Sequence, residues 1–114
     1  MSIETTVLVQ SANTPGTYTS EKQKGAGYHQ RYGYLHTLVY DLDSFKGSVK
    51  LQGTLALYPS DDNTDWVTIE GTEFGGDSSV FTALQPVNFS GNFVWVRAVY
   101  TLEQGTINEI RYNY

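Results

Sequence analysis

The chain lacks cysteine, which excludes disulfides and thiolate metal sites. It also lacks any run of about 18 apolar residues, the length that an apolar helix needs to cross a bilayer. Basic residues are few, since seven Lys and Arg stand against twelve Asp and Glu and give a formal net charge of −5. Nucleic-acid binding needs clustered cations that neutralise phosphates. This composition therefore predicts that neither nucleic acid nor membrane insertion is involved.

A secretion signal is also missing from the N-terminal stretch MSIETTVLVQSA, which has an acidic residue where such signals are basic, and a short apolar core. We therefore expect synthesis in a cytoplasm. A length of 114 residues fits a single domain. The prediction is one β-sandwich domain over residues 1–114, with an N-terminal strand and arm in 1–31 and the core strands in 32–114.

Alternation of apolar and polar residues dominates the chain, whereas helical periodicity is missing, which predicts an all-β fold. The clearest example is 48–58, where Val49, Leu51 and Leu55 alternate with polar residues. Gly53, inside this run, predicts a bulge or an aromatic ring over the backbone. Short strands separated by turns predict an antiparallel β-sandwich of jelly-roll type. The predicted strands are 4–10, 33–42, 48–58, a strand from Trp66, 80–84, 87–90, 93–102 and 106–112, with turns at 43–47, 59–65, 91–92 and 104–105.

Residues 11–31 are rich in Gly, Ser, Thr, Lys and Gln and contain the turn signal Pro15-Gly16. They predict a long loop or an extended arm with at most short strand pairing. Segments of this kind in small domains are often used to contact a neighbour. Lys22, Lys24 and Arg31 form a weak basic cluster here, interpreted as a solvated surface.

Catalytic groups are scarce, because the chain has only two histidines, His29 and His36. His36 lies in a predicted strand and is interpreted as a hydrogen-bonded or surface histidine, and His29 as a surface residue in the loop. Their spacing points them to opposite faces of a strand, so they cannot share a metal ion. We predict no catalytic residue, no metal and no cofactor, and a protein that is not an enzyme.

Most acidic residues fall in predicted turns, where carboxylates usually accept hydrogen bonds from backbone N–H groups. The stretch SDDNTD, residues 60–65, raises a calcium site as an alternative, because hard oxygen ligands at alternating positions suit that ion. It lacks the glycine and the distal glutamate of an EF-hand loop, so a solvated turn is the preferred interpretation.

Aromatic residues are abundant, with nine Tyr and two Trp. Trp95 shares a predicted strand face with Phe93 and Arg97. If that face looks outward, Trp95 is available to a ligand or partner; if it looks inward, Trp95 packs in the core. This alternative stays open at the level of sequence. The candidate interface or ligand contacts are Trp95, Arg97, Phe93, Trp66, Tyr18 and Tyr28.

Three stretches carry a resemblance to a known group: YGYLHTLVYDLDSFKGSVKLQGTLA (32–56), DWVTIEG (65–71) and FSGNFVWVRAVYTLEQGTINEIRYNY (89–114). In this order they resemble small β-rich virion proteins and fibre-associated modules of tailed phages, myophages in particular, that infect marine cyanobacteria. The resemblance covers about 27–114. The matching steps are 32–37, 45–52, 65–66, 91–98 and 105–110.

This resemblance implies a non-enzymatic component of a phage particle, and it supplies no catalytic or ligand-binding residue. The small size and the predicted arm favour a capsid decoration or accessory protein in the virion, in contact with other virion proteins and present as an oligomer or as lattice copies. The alternative is a tail, neck, baseplate or fibre-associated adhesion module that binds host-surface carbohydrate through its aromatic residues.

Overall fold

The computed structural model describes residues 5–25, 27–28, 35–60, 64–76 and 79–113. These residues form one open antiparallel sheet of eight strands. A membrane-spanning helix is absent from this described part of the chain. The strands are β1 (Thr5–Ala12), β2 (Gly16–Thr19), β3 (Gln23–Lys24), β4 (Leu35–Thr54), β5 (Val67–Thr68), β6 (Phe74–Gly75), β7 (Phe81–Ser90) and β8 (Trp95–Asn113).

Two long strands, β4 and β8, pair with each other along nearly their whole length and form the centre of the sheet. The first half of β4 pairs on its other side with β7, and the second half with the short strands β5 and β6. The free side of β8 pairs with β1 near its C-terminal end and with β2 and β3 near its start. Each half of the central pair is therefore flanked on both sides.

The central strands bend in the middle. A straight strand as long as β4 would extend about 66 Å, whereas the longest dimension of the molecule is 38 Å. The Tyr40 hydroxyl donates to the Thr72 carbonyl at 2.7 Å, and the Leu51 N–H donates to the Thr72 hydroxyl at 3.1 Å. Since both residues reach Thr72, β4 turns back between them, and the two halves of the sheet surround one core.

The core is built from the inward faces of both halves. Its large side chains are almost fully buried, and burying each is worth roughly 1.5–3 kcal/mol relative to exposure. Burial also raises the pKa of the Tyr40 hydroxyl, so this group stays a hydrogen-bond donor. The fully buried members include Tyr40, Tyr112, Phe45, Leu38, Leu51, Leu102, Ile107 and Ile110.

The prediction of an all-β fold is confirmed, but the predicted turns at 43–47 and 104–105 are wrong. Each lies inside a continuous strand, where the register of the β4–β8 pairing shifts. Ser44 adopts φ 52° and Gly105 φ 84°. A Cβ on Gly105 would collide with the Ser44 carbonyl oxygen. Ser44 and Gly105 therefore lie in β-bulges that bend the paired strands. A bulge of this kind needs the same left-handed backbone conformation as a turn.

The predicted separation of strands 80–84 and 87–90 is also wrong, because β7 runs through Pro86, which pairs with Val39. Proline is tolerated there because β7 pairs with β4 alone among the described strands, so the missing N–H is not required on the outer side. Separate sandwich layers, the jelly-roll topology and the N-terminal arm are not confirmed. Residues 16–19 and 23–24 of the predicted arm pair with β8 instead.

Candidate functional site

The face of β8 that points away from the core carries a second, smaller cluster built around Arg97. Arg97 is 5% exposed, and its Nε donates to Oε1 of Gln52, its partner across the sheet, at 2.8 Å. Its guanidinium lies 4.1 Å from the centre of the Trp66 ring. The Trp66 indole N–H donates to the Ser60 carbonyl at 2.8 Å. A cation held in this way keeps a fixed orientation, because a hydrogen bond and a cation–π contact both constrain it.

Trp95 lies beside this cluster and is half-buried. Its indole N–H donates to the Leu57 carbonyl at 2.9 Å, and its ring meets the tilted Tyr28 ring at 5.2 Å between centres. Two lysines cover these rings, Lys22 at 5.2 Å from the Trp95 ring centre and Lys24 at 4.6 Å from that of Tyr28. We call Trp95, Tyr28, Arg97, Trp66, Lys22 and Lys24 the outer-face cluster.

The segment that carries the two lysines is fixed to β8 by the backbone. Ser20 N–H donates to the Ala98 carbonyl at 2.8 Å, and the Ala98 N–H donates to the Ser20 hydroxyl at 2.9 Å. Further along, Gly25 N–H donates to the Val94 carbonyl at 2.8 Å. A Cβ on Gly25 would collide with the Phe93 carbonyl oxygen. Glycine at this position therefore allows the segment to lie directly on the start of β8.

A groove of about 460 Å³ opens on this face. Its lining residues are Thr19, Ser20, Glu21, Lys22, Trp66 and Arg97. A second groove of about 360 Å³ continues along β8 and includes Lys50, Val99 and Thr101. The two are neighbours, because Val99 follows Arg97 on the same face of β8 and pairs with Thr19 and Lys50.

Of the six residues predicted as contacts, the structure brings four together: Trp95, Arg97, Trp66 and Tyr28. Phe93 does not share their face. It precedes the first residue of β8, so the alternation of the strand does not extend to it, and its ring packs against the core. The ring lies 2.6 Å from the position of a Cβ on Gly53, which confirms the prediction of an aromatic ring over that glycine.

Tyr18 lies apart from the outer-face cluster. It pairs with Tyr100 across the sheet with 5.4 Å between ring centres, and its hydroxyl donates to the Pro15 carbonyl at 3.0 Å. Lys22, Lys24 and Gln52 belong to the outer face but were not predicted as contacts. The i, i+2 spacing of the two lysines indicates that they share one face of an extended segment. It does not indicate that this segment pairs with β8 and places Lys24 opposite Trp95.

His36 is the hydrogen-bonded core histidine that the sequence predicted as one interpretation. It is 1% exposed and packs with the rings of Phe89 and Tyr112 in a cluster of three, with ring centres 4.9 Å from Phe89, 5.9 Å from Tyr112, and 6.0 Å between Phe89 and Tyr112. Nε2 lies 2.7 Å from the Gly91 carbonyl, so it carries the proton, and Nδ1 accepts from the Tyr112 hydroxyl at 3.1 Å. Burial lowers the His36 pKa, partly offset by the bond to Gly91. His29 lies outside the described residues.

Turn carboxylates behave as predicted at Asp65, whose Oδ2 accepts from the backbone N–H and hydroxyl of Ser60 at 2.9 and 3.1 Å. The other acids of the proposed calcium turn, at 61–62, lie outside the described residues. Within the described ranges, no group of three or more His, Asp and Glu side chains could hold a metal ion. The calcium alternative is therefore untested.

The outer face thus combines a buried, hydrogen-bonded cation, two exposed lysines and the two aromatic rings that they cover, beside an open groove. Such a surface can bind an extended polar ligand by ring stacking and charge. No protein-family model, curated protein or solved structure matches this chain.

Proposed function

We propose that this chain is a non-enzymatic structural component of a bacteriophage virion, a small capsid decoration or accessory protein that docks on a repeating surface. The virion assignment comes from the sequence resemblance. The docking assignment is carried by one observation, a group of large apolar side chains exposed together at one end of β4. These residues are Leu55, Leu57, Tyr58 and Val67, and we call them the docking patch.

The docking patch is unusually exposed for its composition. Leu55 is 72% exposed, Leu57 54% and Tyr58 90%. Val67 is 56% exposed and pairs with Gly53, two residues before Leu55. Apolar groups placed together on a surface are typical of protein interfaces, and covering a large side chain is worth roughly 1.5–3 kcal/mol. A partner surface would supply that burial.

The docking patch replaces the N-terminal arm as the attachment surface of this proposal. Residues 16–19 and 23–24 are paired with β8 and are therefore not free to reach a neighbouring subunit. The proposal also includes the β-sandwich of jelly-roll type. It is supported by the bend of β4, which wraps both halves of the sheet around one core. A rigid block of this kind suits a lattice position, where many copies must present the same surface.

The docking proposal is tested by cosedimentation of the purified protein with phage particles that lack it. The double variant Leu55→Ser, Tyr58→Ser removes two docking-patch residues and should reduce binding at least tenfold. This follows because each lost apolar contact is worth on the order of 1.5–3 kcal/mol. The matched control is Val80→Ser, Leu84→Ser, which changes two side chains of 51% and 63% exposure elsewhere.

Equal loss of binding in both variants would mean that apolar exposure in general drives the association, and would contradict the docking patch. Unchanged binding of Leu55→Ser, Tyr58→Ser would contradict it as well. Circular dichroism of each variant checks that the sheet is intact.

A second candidate function is an adhesion module of the tail, neck, baseplate or fibre that binds host-surface carbohydrate. It is favoured by Trp95 and Tyr28, which meet at the edge of the outer face, where Tyr28 is 39% exposed. Both tryptophans of the chain belong to the outer-face cluster, so intrinsic fluorescence reports directly on it. Titration with host-surface polysaccharide should change the emission saturably. A flat titration would contradict this function and leave the docking proposal unaffected.

A further inference from the structure

We infer that the groove of the outer face binds an acidic saccharide, one whose sugar rings carry carboxylate or sulfate groups. This inference rests on the second candidate function, carbohydrate binding, and names its ligand class. It follows from the way cations and aromatic rings are combined along the groove.

Positive charge is concentrated on this face of an acidic protein. The chain has a net charge of −5, yet three of its seven basic residues, Lys22, Lys24 and Arg97, lie over the rings of the outer-face cluster. Glu21 is the one carboxylate among the lining residues of the first groove. Among the described residues that line this groove, a single carboxylate therefore opposes the attraction for an anion.

Arg97 places a positive charge at a fixed position in the groove. It lines the groove, and the Gln52 amide and the Trp66 ring hold it in place. Because its environment is largely shielded from water, its charge is screened less than that of an exposed lysine. Trp66 itself is 6% exposed and covered by Arg97, so its role is to orient the cation and not to stack on a sugar.

The two lysines can exchange their aromatic partners for an anion. A cation–π contact at an exposed site is weaker than a hydrogen bond between charged groups. A carboxylate or sulfate at the groove therefore draws Lys22 and Lys24 from the rings of Trp95 and Tyr28. The uncovered rings then offer flat apolar surfaces to a pyranose.

The grooves also favour an extended ligand. Together they follow the outer face of β8 from Arg97 past Val99 to Thr101. Threonine hydroxyls line this path, among them Thr17 and Thr101, whose oxygens lie 3.0 Å apart. A linear chain of sugars presents hydroxyls along its length that such groups can bind. Single-stranded nucleic acid also combines charge with rings, but the threonine hydroxyls that line both grooves, Thr19 in the first and Thr17 and Thr101 in the second, match the hydroxyl-rich edges of a sugar chain.

The test is a tryptophan fluorescence titration of the full chain with four probes. Two are acidic, hexagalacturonate with carboxylates and a heparin hexasaccharide with sulfates; one is neutral, maltohexaose; and one is a ten-residue oligothymidylate. We expect saturable binding of at least one acidic hexasaccharide, weakened by added salt, and at least tenfold weaker binding of maltohexaose. A response confined to hexagalacturonate identifies the carboxylate as the recognised group, and one confined to heparin identifies the sulfate.

The variant Lys22→Gln, Lys24→Gln should weaken binding of the acidic probe at least tenfold, since it removes two charged contacts to the ligand. Its matched control, Lys46→Gln, Arg111→Gln, removes the same charge from residues that line neither groove and should bind normally.

Three results would overturn the inference in distinguishable ways. Binding of maltohexaose alone would refute the acidic ligand but keep carbohydrate binding. An unchanged fluorescence with all three saccharides would refute both the acidic ligand and carbohydrate binding. Oligothymidylate binding as tight as that of the best saccharide would replace the saccharide with nucleic acid.

Discussion

His36 is a titratable residue of a type often used in catalysis, but here it is buried in the core and hydrogen-bonded there. Its two nitrogens form hydrogen bonds with Gly91 and Tyr112, and its ring packs against the rings of Phe89 and Tyr112. A proton on Nδ1 would remove the acceptor for the Tyr112 hydroxyl and place a cation in an apolar site. The native state therefore binds this proton more weakly than the unfolded chain does.

The consequence is a pH-dependent stability. Burial lowers the His36 pKa below its ordinary value of 6.5. Below pH 6.5 the unfolded chain takes up a proton that the folded chain does not, so the free energy of unfolding falls as the pH falls. The loss is at most about 1.4 kcal/mol per pH unit from one group. It ends at the folded-state pKa.

Urea denaturation at pH 7.5 and 5.5 measures this effect. His36→Asn should be less stable than the wild type at pH 7.5 and should lose less stability between the two pH values. His29→Asn serves as the control and should retain the wild-type difference, because the sequence predicts a surface position for His29. An identical pH dependence in His36→Asn would contradict the assignment.

Gly53 lies in β4 directly beneath the ring of Phe93. The Phe93 ring occupies the space of a Cβ at 2.6 Å, so Gly53→Val must displace the ring. Overpacking of this kind costs roughly 1–3 kcal/mol. Adding Phe93→Leu should recover part of that loss, and urea denaturation of both single variants and the double variant gives the coupling. Strictly additive losses would show that the two residues do not compete for space.

Both residues were accessible to sequence reasoning, because each depends on a local rule. A glycine inside a strand pattern marks a close approach, and a lone histidine on an apolar strand is usually hydrogen-bonded. The partners themselves, Phe93 for Gly53 and Tyr112 for His36, lie far away in the sequence, and no local rule identifies them.

At the scale of elements, the long strands were the main error of sequence reasoning. The turn chemistry at 43–47 and 104–105 is real, but it produces a bend because β4 and β8 stay paired on both sides of it. A tight turn and a bulge need the same residues, and the distant partner strand decides between them. Four predicted strands therefore merge into two.

The segment before Tyr28 was predicted only in part. Its Gly, Ser and Lys content predicts a loop or arm with at most short strand pairing, and the structure shows such short pairing, with Ser20 and Gly25 hydrogen-bonded to Ala98 and Val94. Short strands of two or four residues carry too little alternation to be recognised. Their placement follows from hydrogen bonds to the backbone of β8, which composition does not reveal. For this reason, Lys22 and Lys24 were missed as members of the outer face.

Ser20→Ala tests the attachment of this segment. The substitution removes the hydroxyl that accepts from the Ala98 N–H at 2.9 Å and should cost about 1–3 kcal/mol. Hydrogen exchange should show faster exchange at Ala98 in the variant. Ser90→Ala, at an exposed position on β7, is the control and should leave Ala98 unchanged. Equal exchange at Ala98 in all three proteins would contradict the attachment.

For the whole molecule, two surfaces with different chemistry lie close to each other. The docking patch is apolar, the outer-face cluster is cationic and aromatic, and the Trp95 indole N–H to the Leu57 carbonyl connects them. Docking of the patch on a virion surface would therefore place the groove near the interface. The two proposed functions are compatible if the groove stays open after docking.

The proposal of a virion component rests on the sequence resemblance, and the proposal of attachment to a particle rests on the docking patch. The most direct measurement is the mass of phage particles lacking this protein, by light scattering, during titration with the purified chain. Docking predicts a mass that rises and then saturates at a fixed number of copies per particle, as a repeating lattice requires. A particle mass that does not change, while the added chain remains free in solution, would contradict the proposed function.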